Sequence, residues 1–242
     1  MPAAGLGLRL KSPVPKPLVK IAGTPILIHC LRALAVNKLI RRIIIAVNQE
    51  NMPEFRSALG RYRVKKRIDL VLGGPTRKDS VGNCLKNVSP GADFVLVHDA
   101  VRPFVSQDLI QNLIKETKIA KAVICGVPVK ATIKRVSGYG GRDTGNGCYT
   151  VKETLDRSNV WEIQTPQVFE KKLLLVAYKK YGHNAVTDDA SLMEKMGIKV
   201  RVIEGSYFNI KITSPEDLIF ARAIIKNKHK ILNPKSANEL IS

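Results

Sequence analysis

The chain has 242 residues, of which 45% are apolar and 25% charged, and its 40 Lys and Arg against 20 Asp and Glu give a formal charge of +20. That length supports one large α/β domain with a sizeable core, the composition is that of a globular protein, and no apolar run is long enough to cross a bilayer. The charge points to polyanions as partners, or to a solvated basic surface with non-specific nucleic-acid affinity; aromatics at 5% are too few for base-stacking platforms.

The chain opens on Pro2-Ala3-Ala4-Gly5-Leu6-Gly7-Leu8-Arg9, followed by Pro15-Lys16-Pro17. Small residues and glycines let a backbone approach a ligand closely, and Arg9 and Lys16 add positive charge, a combination suited to a triphosphate. The spacing is neither the dinucleotide fingerprint nor the P-loop, and a plain turn is the competing reading. Only Met1 stands ahead of this loop, so the strand that would normally lead into it is expected to be missing or nearly so, and no signal or transit peptide is expected. A cytoplasmic protein is the default.

Periodicity predicts a helix over 25–35, a strand at 42–47, a helix from about 52 to 59, a strand at 68–72, and, after Gly73-Gly74, a helix over 78–88. A strand at 93–97, an amphipathic helix over 107–118 and a strand at 122–129 follow. Short apolar strands alternating with helices imply a mostly parallel sheet with right-handed crossovers. Ligands of such sheets bind at the carboxyl ends of the strands. The Gly-rich loop, Gly73-Gly74 and the segment after Val97 should therefore gather on one edge.

Beyond residue 130 the pattern changes. Residues 133–136 and 148–151 read as the arms of a long hairpin around a glycine-rich tip at 137–147. A solitary hairpin is marginal in water, and a partner subunit is one candidate for what it packs on. Thr154 to Arg157 and Gln164 to Gln167 are polar stretches with no evident core role. Helices are predicted over 170–181, over 188–196 with Thr187 or Asp188 as cap, and from Pro215 to about Lys228 with Ser214 as N-cap. A strand is predicted at 199–204. Residues 1–228 read as one domain, with 131–156 as an arm within it and 229–242 as a basic tail. Cys30, Cys84, Cys125 and Cys148 form no Cys-x-x-Cys pair and read as reduced structural thiols.

Three stretches offer chemistry. Asp99, directly after the 93–97 strand, is placed to hold a hard cation such as Mg²⁺ beside a phosphate chain, or else to cap a turn and pair with Arg102. Residues 76–80 offer anion-binding donors at a helix start, or a plain cap by Asp79 or Ser80. Lys211, framed by Ile210 and Ile212 at or near the end of a strand, is costly to bury unless an anion meets it.

These stretches fall into blocks: Pro-Ala-Ala-Gly-x-Gly-x-Arg, Pro-Lys, Gly-Gly-x-x-Arg-x-Asp-Ser-Val, Val-His-Asp-Ala-x-Arg-Pro, Asp-Arg, Gln-Thr-Pro-Gln-x-Phe, Thr-Asp-Asp-Ala-Ser and Asn-Ile-Lys-Ile-Thr-x-Pro-Glu-Asp-Leu. In this order, from residue 2 to about 223, they resemble the family of 2-C-methyl-D-erythritol 4-phosphate cytidylyltransferases. The resemblance implies a Rossmann-like nucleotidyltransferase fold with a protruding β-hairpin arm, and the reaction of CTP with methylerythritol phosphate to give the CDP-alcohol and pyrophosphate. It implies that Ala3, Ala4, Gly5 and Gly7 cradle CTP, that Gly74 and Ser80 contact its cytidine end, and that Ala100 and Arg102 line the same pocket. Arg9, Lys16 and Lys211 would neutralise the triphosphate. Asp99 would hold Mg²⁺ or another divalent cation. Thr132, Arg157 and Thr165 would hold the second substrate, Arg157 as a catalytic group. The arm would reach into a second subunit of a homodimer.

The chain departs from the family pattern at Ala131, where an Asp is usual, at Tyr207 and Phe208, where an acidic residue often stands, and at Val101, which replaces Ala. A transferase for another polyol phosphate, such as ribitol 5-phosphate, and a non-catalytic basic nucleic-acid-binding protein are the alternatives. His98 reads as structural, because a phosphate nucleophile needs no general base.

Overall fold

In the computed structural model, residues 1–5, 10, 12–137, 149–183 and 186–227 are described. Gly7, Arg9, Cys148, the tip of the arm and the basic tail lie outside them.

After a 3₁₀ turn at Lys16–Leu18, a small antiparallel pair, β1 (Lys20–Ile21) and β2 (Thr24–Pro25), leads into α1 (Ile26–Ala35). The continuous apolar run Ile43 to Val47 forms β3 (Arg42–Val47), whose Ile45, Ala46 and Val47 are fully buried, as a strand covered on both faces requires. Then come α2 (Met52–Tyr62), β4 (Arg67–Leu72), α3 (Arg77–Leu85), β5 (Phe94–Val97), α4 (Gln107–Ala120) and β6 (Ala122–Pro128). α2 runs three residues past its predicted end and stops where Arg63 turns left-handed. α3 begins one residue earlier than predicted because Thr76, its N-cap, forms a capping box with Asp79, and it ends before Val88.

The chain continues through β7 (Ile133–Val136), β8 (Val151–Leu155), β9 (Trp161–Glu170), α5 (Lys171–Tyr181), α6 (Ala190–Lys195), β10 (Arg201–Glu204) and α7 (Pro215–Lys226). β3 pairs in parallel with β4, and β6 with β10. The expectation of a mostly parallel sheet holds for those pairs but not for β9. This ten-residue strand runs antiparallel between β5 and β6 and makes the sheet mixed.

β9 corrects the reading of Gln164 to Gln167 as lacking a core role. Gln164, Thr165 and Gln167 are all buried, and each makes a side-chain hydrogen bond to a tertiary partner, although Gln167 Oε1 is left without one among the described residues. Gln164 Nε2 donates to the Ser206 carbonyl at 2.9 Å, and Gln167 Nε2 donates to Asp188 at 2.8 Å. The register jumps between Ile124, opposite Gln167, and Cys125, opposite Gln164, so Thr165 and Pro166 bulge out of the ladder. Such a bulge re-aims a side chain, and proline, lacking an N–H, suits it.

The arm's return strand also differs from expectation. β7 pairs with β8 at 151–155, further along than the predicted 148–151. At its base Tyr207 donates to the Pro128 carbonyl at 2.6 Å, and its ring lies 3.6 Å from Lys130 Nζ. Residues 205–214 form a loop rather than a strand end, anchored where Ile212 N–H donates to the Val101 carbonyl at 2.9 Å.

The predicted near-absence of a first strand is qualified. Residues 1–3 lie beside β3 in a single parallel bridge, Pro2 to Ala46. Apolar side chains form two cores, one around α1, α4 and Phe55, the other around Leu85, Phe169 and Leu174. No helix among the described residues is long and apolar enough to cross a membrane.

Candidate active site

The predicted gathering occurs. A cleft of about 220 Å³ opens at the carboxyl ends of the strands, where the loop Ala3 to Gly5 meets the turn after β4 and the segment after β5. Ala3, Ala4, Gly5, Lys16, Gly74, Ser80, Asp99, Ala100 and Lys211, all singled out from sequence, line it together with Arg77. The two loops fit because their residues are small. A Cβ at Gly73 would stand 2.4 Å from Ala4 Cβ, and one at Gly74 would stand 2.4 Å from Asp79 Cβ. Gly74 N–H donates to Ser80 Oγ at 3.1 Å, which fixes the turn at the start of α3.

Asp99 is the electrostatic centre. It is 6% exposed, and three cations surround its carboxylate: Lys211 Nζ at 2.8 Å, Arg77 Nε at 3.2 Å and Arg102 Nε at 3.7 Å. Burial alone would raise its pKa; the charges of Arg77 and Lys211, the Lys211 hydrogen bond and Arg102 outweigh this and hold it well below the usual carboxylate range. Lys211 thus has the anion that its apolar frame demanded. Arg77 also reaches Asp189, 1% exposed, at 2.8 Å. Asp189 in turn accepts a hydrogen bond from the Tyr178 hydroxyl. Sequence reasoning missed Asp189 as part of the site; the signal was the doubled carboxylate of the Thr-Asp-Asp-Ala-Ser block.

Beneath Asp99 lies a closed set of hydrogen bonds. His98 is fully buried, and its Nε2 donates to the Arg102 carbonyl at 2.9 Å. Its Nδ1, the acceptor in that tautomer, lies 3.2 Å from Thr165 Oγ1, which accepts from Asp99 N–H at 3.0 Å. Burial pushes the His98 pKa down to about 4, so the ring is neutral near pH 7. With both nitrogens engaged, it is the structural residue that the sequence suggested.

Two expected pocket residues therefore sit elsewhere. Thr165 lies under Asp99 with its hydroxyl committed, not along the cleft. Arg102 is buried, and its Nη1 donates to the Asn209 carbonyl at 2.7 Å. Asn209 Nδ2 donates to Gln164 Oε1 and to the Thr165 carbonyl. Arg102 and Asn209 thus brace the Lys211 loop against β9. Thr132 and Arg157 are exposed at the base of the arm, away from this cleft, where Arg157 Nη1 donates to the Lys130 carbonyl. Cys30, Cys84 and Cys125 are buried free thiols; burial pushes Cys125 up to about 12, so it carries no thiolate chemistry.

An α/β sheet with small-residue loops, clustered cations and one buried carboxylate at its strand ends defines a nucleotidyltransferase of Rossmann-like fold. The pattern of the 2-C-methyl-D-erythritol 4-phosphate cytidylyltransferase family, IspD, matches residues 1–227. The enzyme of that name from Bacillus mycoides is 43% identical over 232 residues, covering 95% of this chain and 98% of the relative. The crystal structure of 4-diphosphocytidyl-2C-methyl-D-erythritol synthase from Anaerococcus prevotii superposes with a TM-score of 0.78 at 35% identity, covering 93% of each chain. That of the Francisella tularensis 2-C-methyl-D-erythritol 4-phosphate cytidylyltransferase gives 0.75 at 34% identity, over 92% of this chain and 96% of the other. The chain belongs to the 2-C-methyl-D-erythritol 4-phosphate cytidylyltransferase family.

Proposed function

We propose that the chain transfers the cytidylyl group of CTP to 2-C-methyl-D-erythritol 4-phosphate, releasing pyrophosphate, in isoprenoid biosynthesis. The observation that carries this is the meeting of Lys16, Lys211 and Asp99 with the Ala3–Gly5 and Gly73–Gly74 turns on one cleft. The small-residue turns admit the nucleotide against their backbone. A phosphate oxygen of the second substrate attacks the α-phosphorus of CTP. The new P–O bond forms as the bond to the β-phosphate breaks, and pyrophosphate leaves with the electron pair. The nucleophile is already anionic, so the chain's task is to align two polyanions and neutralise charge along the line of displacement. Lys16 and Lys211 do this, and Arg9, in the same loop by sequence, adds to it.

The donor set suits Mg²⁺ carried with the nucleotide. Asp99 offers one carboxylate, and the described residues hold no group of three His, Cys, Asp or Glu that would form a cage. Mg²⁺ binds in this way through one or two carboxylates plus substrate phosphates. When bound, it supplies Lewis-acid neutralisation of the triphosphate, and Asp99 is the residue that holds it. Thr132 and Arg157 lie away from the cleft of their own chain, which supports a homodimer in which the arm delivers them to the partner's site.

The test is pyrophosphate release from CTP and Mg²⁺ with methylerythritol phosphate and ribitol 5-phosphate side by side. Release with the first alone is expected, with Lys211→Ala lowering kcat about 10²–10³-fold, the cost of one preorganised donor. Release with ribitol 5-phosphate alone reassigns the substrate. No release with either, from folded protein, overturns the reading.

A further inference from the structure

The loop that carries Lys211 is pinned to the body at both ends. Gly205 N–H donates to the Gly126 carbonyl at 2.7 Å, Gln164 Nε2 to the Ser206 carbonyl at 2.9 Å, and Ile212 N–H to the Val101 carbonyl at 2.9 Å. Between these anchors stand two large aromatic side chains that stay outside the core, Tyr207 at 43% and Phe208 at 41% exposure. Tyr207 reaches across to a distant segment. Its hydroxyl donates to the carbonyl of Pro128, the last residue of β6, and the centre of its ring lies 3.6 Å from Lys130 Nζ.

Both contacts fall where the chain leaves the sheet for the arm. There Val129 N–H donates to the Val160 carbonyl at 3.0 Å, and Val160 N–H to the Arg157 carbonyl at 3.1 Å. The Lys130 carbonyl accepts from Arg157 Nη1. Tyr207, Lys130 and Arg157 thus form one run of contacts from the Lys211 loop to the base of the arm. All three are exposed. Exposed side chains add little to the stability of a fold, so what these contacts hold is placement. Tyr207 stands where the chain departs from the family pattern of an acidic residue. A carboxylate accepts hydrogen bonds only and could not donate to the Pro128 carbonyl. A tyrosine donates and also offers a cation its π face.

We propose that Tyr207 is a positioning residue, which fixes Lys130, and through the Lys130 carbonyl Arg157, against the loop that carries Lys211. The proposal rests on the reading that Arg157 and Lys211 serve the transfer reaction. In the proposed dimer these two residues serve different sites, so the clasp sets the arm that leaves for the partner by reference to the chain's own cleft.

Three variants separate the contacts. Tyr207→Phe removes the hydroxyl, Lys130→Met removes the cation and keeps the carbonyl, and Tyr207→Leu removes both contacts. Each is compared with the native protein in Tm, amide exchange, CTP affinity by calorimetry, and kcat/KM for methylerythritol phosphate. In Tyr207→Leu the Val129 and Val160 amides should exchange about tenfold faster, the combined effect of one net hydrogen bond and one exposed cation–π contact. The Gly205 amide, bonded to β6, should keep its protection. The kcat/KM for methylerythritol phosphate should fall by about the same factor, with CTP affinity and Tm unchanged, and the two single-contact variants should fall between. Unchanged exchange at Val129 and Val160 in Tyr207→Leu overturns the clasp. Faster exchange with an unaltered kcat/KM makes the clasp merely structural and overturns the positioning role. A CTP affinity that falls in step with kcat/KM places the effect in the nucleotide cleft and overturns the assignment to the arm. If the native protein itself releases no pyrophosphate, the functional reading fails, and the exchange comparison still decides the clasp.

Discussion

Asp99 and His98 are neighbours with opposite tasks, and their surroundings separate them. Asp99 keeps its charge because three cations repay its burial, and removing one partner of such a buried pair costs about 3–5 kcal/mol. His98 loses its charge because burial disfavours the imidazolium more than the Arg102 carbonyl and the nearby Asp99 charge favour it. This gives stability a pH dependence with a definite sign. In the unfolded chain His98 titrates near 6.5, and in the folded chain at about 4. Between those values the unfolded state binds a proton that the folded state does not, so stability is intact above about pH 6.5 and falls as pH is lowered towards 4. The loss amounts to roughly 3 kcal/mol across the window. His98→Gln can keep a donor and an acceptor in place without titrating. Urea unfolding of both proteins between pH 4 and 6.5 should show a flatter curve for the variant; parallel curves would refute the assignment of a buried neutral imidazole.

At the scale of elements, α3 couples a local signal to the site. Thr76 caps it, with Asp79 N–H donating to Thr76 Oγ1 at 3.1 Å and Thr76 N–H to the Asp79 carboxylate at 3.1 Å. Thr76→Ala should cost about 1 kcal/mol, seen as a fall in Tm of about 2–4 °C, and Thr76→Ser should restore most of it. An unchanged Tm for Thr76→Ala would mean that the cap does not hold the turn at Gly73-Gly74. Elements such as α1, β3, α4 and α7 were legible in sequence because their apolar pattern, with a Ser cap at α7, is local information. β9 was not, because Gln164, Thr165 and Gln167 stand inward beside the apolar Val168 and Phe169. Each of these polar residues becomes a core residue only through a partner 21 to 67 positions away. The Lys211 loop misled for the same reason: Ile210 and Ile212 alternate like a strand, yet Asn209 and Arg102 hold the segment as a loop against β9. The site residues on the Gly-rich and post-strand turns were legible as chemistry, whereas Asp189 was hidden because its role exists only through Arg77.

At the scale of the whole molecule, the positions of Thr132 and Arg157 bear on the proposed dimer. Both are exposed at the base of an arm whose strands β7 and β8 pair, among the described residues, only with each other. A two-stranded ribbon has little reason to persist in water without something to pack on, and Arg157 does not line the cleft that holds Lys211 in its own chain. A two-fold dimer in which each arm crosses to the other subunit resolves both facts, because a symmetric interface delivers the same residue to both sites. The consequence is a complementation test. Lys211→Ala and Arg157→Ala should each be nearly inactive alone. When the two are unfolded together and refolded at equal concentration, half the dimers are mixed, and each mixed dimer contains one site with both native residues and one with neither. Activity should then recover to about a quarter of the native level, and it should fall on dilution below the dimer's dissociation constant. If mixing restores nothing while each variant refolds, Lys211 and Arg157 serve the same chain's site, and the arm has another purpose.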